Sequence, residues 1–146
     1  MIRRIRCLIG LLLTCTVLGC ASSQDQQHTG KLELTIPGTS GDKVKTTLVR
    51  EMQQRRFRIA NETKSVMTFE QPASSAVIQS LSDPDVGRAP IERVTYTIKP
   101  VEKDVLVSAE IAIVSKAGSS AEKKVDVSQS AEAANVQAVL DKVAGK

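Results

Sequence analysis

Between Lys31 and Ile36 the chain alternates polar and apolar residues, so Leu32, Leu34 and Ile36 fall on one side of an extended segment. Pro37-Gly38 closes this first strand. Thr39 or Ser40 then suits the N-cap of a helix, with Asp42 in the first turn, where a negative charge favours the helix dipole. Val44, Leu48 and Met52 recur four apart, with Val49 beside them, and lay an apolar stripe along that helix. Next, Phe57 and Ile59 alternate with Arg56 and Arg58 as a second strand. Asn61-Glu62 reads as a turn, and Ser65 to Glu70 returns as a third strand with Met67 and Phe69 on one face. So short a connection predicts an antiparallel hairpin.

Residues 71–90 break the pattern with Pro72, Pro84, Gly87, Pro90 and four serines, around an apolar island of Ala76, Val77, Ile78 and Leu81. A stretch this long without regular structure is unusual in a compact domain and is often functional or disordered. The island has three readings: a short helix completing the core, a lid over a groove between helix and sheet, or a contact for a partner or membrane. Two long strands follow. Val94, Tyr96 and Ile98 share a face within Ile91 to Ile98, and Val105, Val107, Ala109, Ile111 and Ile113 share one within Asp104 to Ser115. Pro100 to Lys103 joins them as a second hairpin, and a further strand fits Lys123 to Val127. Ser130 caps a last helix striped by Ala133, Val136, Val139, Leu140 and Val143 and ended by Gly145. The expected class is α+β: an antiparallel sheet of about five strands with two amphipathic helices on one face, in the order β-α-β-β-loop-β-β-α.

Ahead of this domain the pattern is of another kind. Arg3, Arg4 and Arg6 precede an uncharged, mainly apolar stretch from Leu8 to Leu18, with no acid before Asp25. A basic start, a short apolar core and a small residue at its end make a secretory signal peptide. The core falls short of the roughly twenty apolar residues that a spanning helix needs. Val17-Leu18-Gly19-Cys20 resembles the lipobox that signal peptidase II reads in bacterial lipoproteins, with Val17 in place of the commonest Leu and a bulkier Leu18 than usual. The resemblance implies cleavage between Gly19 and Cys20, a diacylglyceryl thioether on Cys20, and acylation of the new amino group. Ala21 follows where such lipoproteins carry an inner-membrane retention Asp, so the resemblance favours the outer membrane, facing the periplasm. Ala21 to Gly30 is small, polar and aperiodic, as a flexible tether would be. The expected organisation is therefore a signal peptide over 1–19, a lipidated cysteine and tether over 20–30, and one α+β domain over 31–146.

A second resemblance covers about residues 31–144. The spacing of Leu32-Glu33-Leu34, then Val44, Leu48 and Met52, then Arg56-Phe57-Arg58-Ile59, is similar to that of small helix-grip lipoprotein domains. The Val94-Thr95-Tyr96 strand and the closing Val136/Leu140 helix fit it too. Such domains occur in the accessory lipoprotein of the outer-membrane β-barrel assembly machine. Element order carries this likeness, and a fold alone assigns no activity.

The signal also changes how the charge reads. The chain has 20 Lys+Arg against 16 Asp+Glu, but three of the bases and none of the acids precede Gly19, so the mature part is almost neutral. A basic pI taken as a nucleic-acid signature would be an artefact of the signal. On the lipobox resemblance Cys7 and Cys15 would leave with it and Cys20 would be acylated, so no thiol would remain for a disulfide. Phe57, Phe69 and Tyr96 are the only aromatics, and the core must be built from aliphatic residues.

Candidate chemistry is sparse. The single histidine, His28, lies in the tether, where it cannot hold near-attack geometry. Neither a nucleophile elbow nor a phosphate-binding glycine motif is present, and Cys/His metal sites lack ligands. Asp83-Pro84-Asp85-Val86-Gly87 opens like a calcium loop, but Pro84, the missing third acid and the missing distal Glu depart from one. Asn61-Glu62-Thr63 matches a glycosylation sequon, without meaning in a bacterial protein. A glycosidase-type carboxylate pair stays open on sequence grounds, set against the scarcity of aromatic platforms. Arg50, Arg55, Arg56 and Arg58 suit either an anionic surface or the ordinary solvent face of a helix end and strand. Compartment and composition disfavour nucleic acid.

These features predict a non-enzymatic envelope lipoprotein without cofactor or metal. It would be held to the membrane by its N-terminal lipid and act as an interaction or scaffold module for an envelope protein partner. Cys20 is the lipidation site, Val77, Ile78 and Leu81 are the candidate partner contacts, and Arg50, Arg55, Arg56 and Arg58 the candidate anionic-surface contacts. The alternative is a carrier or sensor of an apolar ligand, in a cleft between Val105, Val107 and Ile111 of the sheet and Val136 and Leu140 of the last helix.

Overall fold

The computed structural model describes residues 32–74 and 89–146. The signal, Cys20, the tether and the apolar island with Val77, Ile78 and Leu81 lie outside the described residues. The elements are β1 (Leu32–Ile36), α1 (Gly41–Gln54), β2 (Arg58–Glu62), β3 (Val66–Pro72), β4 (Ile91–Val101), β5 (Asp104–Ser115), β6 (Lys123–Asp126) and α2 (Ala131–Val143). They form the expected α+β fold, with one six-stranded sheet in the order β1-β5-β4-β3-β2. β5 is long enough to pair β1 along Val105 to Ala109 and β6 along Ala112 to Ser115 on the same edge. All these pairings are antiparallel.

The registers sort the strands into two faces. Met67 pairs with Tyr96 and Phe69 with Val94; Tyr96 in turn pairs with Ala109, Val94 with Ile111, and Ile98 with Val107. On this face the helix stripes of Val44, Leu48 and Met52 and of Val136, Val139 and Leu140 close one continuous core. Phe69 and Tyr96 meet edge to face within it, their ring centres 5.9 Å apart. The opposite face is not roofed by either helix and carries Thr68, Thr95, Thr97 and Ser108 with the charged Glu70 and Arg93.

Ser40 is the N-cap of α1, its hydroxyl accepting from the Lys43 amide at 3.3 Å, and Ser130 caps α2 by accepting from the Glu132 amide. Both helices end in the same motif. After α2 the Gly145 amide donates to the Lys142 carbonyl and the Lys146 amide to Asp141, with Gly145 left-handed at φ 77°. After α1 the Arg56 amide donates to Gln53 and the Phe57 amide to Met52, and there the left-handed residue is Arg56, at φ 68°. These are Schellman closures, and the α1 copy sets Phe57 against Met52.

That closure moves the second strand. Phe57 was expected inside it but is buried beside the helix end, and β2 begins at Arg58. Asn61 and Glu62, expected as a turn, are paired with Thr68 and Met67. The turn comes later, where the Thr63 hydroxyl accepts from the Val66 amide at 2.9 Å. β4 likewise runs past Ile98 to Val101, and Glu102, left-handed at φ 53°, begins the turn that Pro100 to Lys103 was expected to make.

Candidate functional site

The buried part of the helix-facing side of the sheet is apolar apart from one polar rung. Gln71 on β3 and Glu92 on β4 are register partners, and the Gln71 side-chain amide donates to Glu92 Oε2 at 2.8 Å. Glu92 continues the alternation of Val94, Tyr96 and Ile98 and is only 7 % exposed, so a carboxylate occupies a core-face position. The rung lies where β3 and β4 run out towards residues 73–90.

A pocket of about 270 Å³ opens over it. The closure of α1 supplies Met52, Arg55 and Phe57, and α2 supplies Asn135, Val136 and Val139. Arg55 is anchored on its own helix, donating to the Glu51 carbonyl at 3.0 Å and approaching Glu51 Oε2 at 3.4 Å. Deeper in, the Tyr96 hydroxyl donates to Met52 Sδ at 3.4 Å. Burial pushes the Tyr96 phenol above its ordinary range, so it remains a neutral donor. Burial also raises the Glu92 carboxyl above the usual carboxylate range. The Gln71 hydrogen bond opposes that shift and the charge of Glu132 adds to it. The arrangement can orient and bind a small polar ligand. Among the described residues it offers no nucleophile–base pair, and no group of three or more metal-ligating side chains is assembled.

On the unroofed face, Arg93 bridges two carboxylates, donating to Glu70 Oε1 at 2.8 Å and to Glu122 Oε1 at 2.9 Å. Glu122 also accepts from the Gly118 amide at 2.9 Å. That bond, with the Arg93 contact, holds its carboxyl down at about 2.

The candidate arginines do not form one patch. Arg50 and Arg55 both bind Glu51, whereas Arg58 reaches Glu70 on β3 at 3.6 Å. Arg56 supplies the left-handed residue of the α1 closure. Arg50 instead shares a groove of about 370 Å³ with Lys43 and Lys142, between the start of α1 and the end of α2. Val105, Val107, Ile111, Val136 and Leu140, the expected walls of an apolar cleft, pack into the continuous core at 0–3 % exposure. Free volume lies instead outside that core: about 270 Å³ at the end of the sheet over Glu92, about 470 Å³ in a groove between Leu32 and the Ser130, Ala133, Gln137 side of α2, and the groove beside Lys43. Glu92 itself was legible. Carrying the two-residue period of Val94, Tyr96 and Ile98 one step back places an acid on the buried face.

No protein-family model matches the chain, and a search of curated proteins finds no significant match. Among the described residues no helix is long and apolar enough to cross a membrane.

Proposed function

We propose that this chain is a lipid-anchored, non-enzymatic binding module of a bacterial envelope, held at the outer membrane and presenting its α+β domain to the periplasm. The observation that carries this reading is the Gly19-Cys20 junction directly behind the basic and apolar segments. A multiply acylated Cys20 would anchor stably, where a single chain binds only marginally, so the domain needs no membrane-binding surface of its own. Its surfaces are then free for a partner.

Fractionation with labelled fatty acid tests the anchor. The wild-type chain should incorporate label and sediment with membranes, and Cys20→Ala should lose both label and processing. A Cys20→Ala chain that is still processed and membrane-bound sinks the reading. Photo-crosslinkers at Val77, Ile78 and Leu81 test the partner, with one envelope protein of defined mass as the expected product. Silence from all three positions removes the island as the contact.

The pocket over Glu92 favours a second reading, a carrier or sensor, of a small ligand rather than a lipid. Its 270 Å³ falls just below the roughly 300–1,000 Å³ of drug-sized sites. Mass spectrometry of a solvent extract would find a stoichiometric small molecule if the carrier reading is right.

A further inference from the structure

Among the described residues Glu92 is the only carboxylate lining its pocket, and no cation pairs with it. Arg55, the cation on the same rim, is turned towards the Glu51 carbonyl and carboxylate. Glu132 in the first turn of α2 adds negative charge instead, and is itself bound to the Ser130 hydroxyl. The remaining walls are mainly apolar: Met52, Phe57, Val136 and Val139. A carboxylate withdrawn from water between such walls is stabilised best by a cation brought to it, because charge-assisted hydrogen bonds are about twice as strong as neutral ones.

The shape of the site narrows the cation. Gln71 already donates to Glu92 Oε2, so a fork aimed at both oxygens would compete with it, whereas Oε1 has no donor among the described residues. A guanidinium prefers two parallel bonds to both carboxylate oxygens, whereas an ammonium is a compact point charge that one oxygen can receive. The volume, about 270 Å³, is the room of roughly nine waters and takes a stem of a few carbons, not an acyl chain. We propose that this pocket binds a primary ammonium group on a short aliphatic stem, with Glu92 as its counter-ion, Gln71 fixing the carboxylate, and Met52, Phe57, Val136 and Val139 covering the stem. Two sources carry this chemistry, a free alkylamine and the lysine side chain of a protein.

The test is an NMR titration of the full-length protein in zwitterionic micelles with n-butylammonium, n-butanol and Nα-acetyl-lysine amide, using empty micelles as the blank. Butylammonium should bind saturably, shifting the Gln71 side-chain amide and the amides of Asn135, Val136 and Val139, at least ten-fold tighter than butanol. Glu92→Gln should erase that preference while leaving the fold intact. If acetyl-lysine amide matches or exceeds butylammonium, the source is a protein side chain; if it does not bind, the source is a free amine. Equal binding of butylammonium and butanol, saturation by neither, or a preference that survives Glu92→Gln overturns the proposal.

Discussion

The side-chain amide of Gln71 donates to the carboxylate of Glu92 at 2.8 Å across neighbouring strands, and this single bond is the protein's own answer to an acid on its core face. A neutral amide only partly offsets the loss of water around a carboxylate. The carboxyl is accordingly raised, with desolvation the largest cause.

The first prediction follows from that shift. In the unfolded chain Glu92 returns to the ordinary value of about 4.3. A folded value above the unfolded one means that folding disfavours the ionised form. The penalty is absent below the unfolded value and complete once pH has risen through the folded one. Glu92→Gln keeps an acceptor for Gln71 and removes the charge. It should therefore raise the thermal midpoint at pH 7 and lose that advantage near pH 4. Melting curves at the two pH values check it; a variant less stable at pH 7 would show that the ionised acid is better solvated than its burial implies.

Arg56 carries the second prediction. It sits at φ 68° in the position that Gly145 fills at the end of α2. A left-handed conformation costs a residue with a Cβ about 1–2 kcal/mol, of which the greater freedom of glycine in the unfolded chain gives back part. Arg56→Gly should stabilise the domain by about 0.5–1 kcal/mol, a rise of roughly 2–4 °C in Tm. The Arg56 side chain makes no ion pair among the described residues, so little is lost with it. A fall in Tm would show that the guanidinium has a partner elsewhere.

Where hydrophobic period and caps agreed, the sequence was readable. Val44, Leu48 and Met52 behind Ser40, and the paired alternations of β4 and β5, became the elements they indicated. β2 was misplaced because all five of its residues are exposed, so no buried face fixes its register. Its start also depends on a left-handed arginine, which composition does not signal. The pocket was not legible as a site because Met52, Phe57, Gln71, Glu92 and Asn135 come from four separate parts of the chain. The two serine-capped helices and the sheet bring them together.

Acid should act through a different group, on the other face. Glu122 is held at about 2 by the Gly118 amide and by Arg93. Against an unfolded value of about 4.3, its contribution is fully present above that value and is lost as pH falls through about 2. Glu122→Gln should therefore melt below the wild type at pH 7, and the two curves should converge by pH 2. Circular dichroism melts across this range follow the gap directly. A gap independent of pH would assign the effect to packing of the 116–122 turn and not to charge.

Arg93 itself allows the sharpest test of how the unroofed face is held. Its side chain is 19 % exposed and that of Glu70 is 11 %, so their 2.8 Å contact is largely withdrawn from solvent. Removing one member of such a pair strands the other, typically at about 3–5 kcal/mol when burial is complete. Here Arg58 remains 3.6 Å from Glu70, on a side chain 76 % exposed, and can replace part of the lost charge. Arg93→Met should consequently destabilise by about 2–3 kcal/mol, read as a lower urea midpoint with an unchanged m value. Adding Glu70→Met to that variant should recover most of the loss, because the apolar pair removes the stranded Glu70 charge while Glu122 keeps the Gly118 amide and Lys124 at 3.6 Å. The double-mutant cycle then returns a coupling of at least about 1 kcal/mol, as neighbours in one network do. Strict additivity of the two substitutions would mean that Arg93 acts chiefly through Glu122, and the single variant Glu122→Gln should then reproduce most of its effect at pH 7.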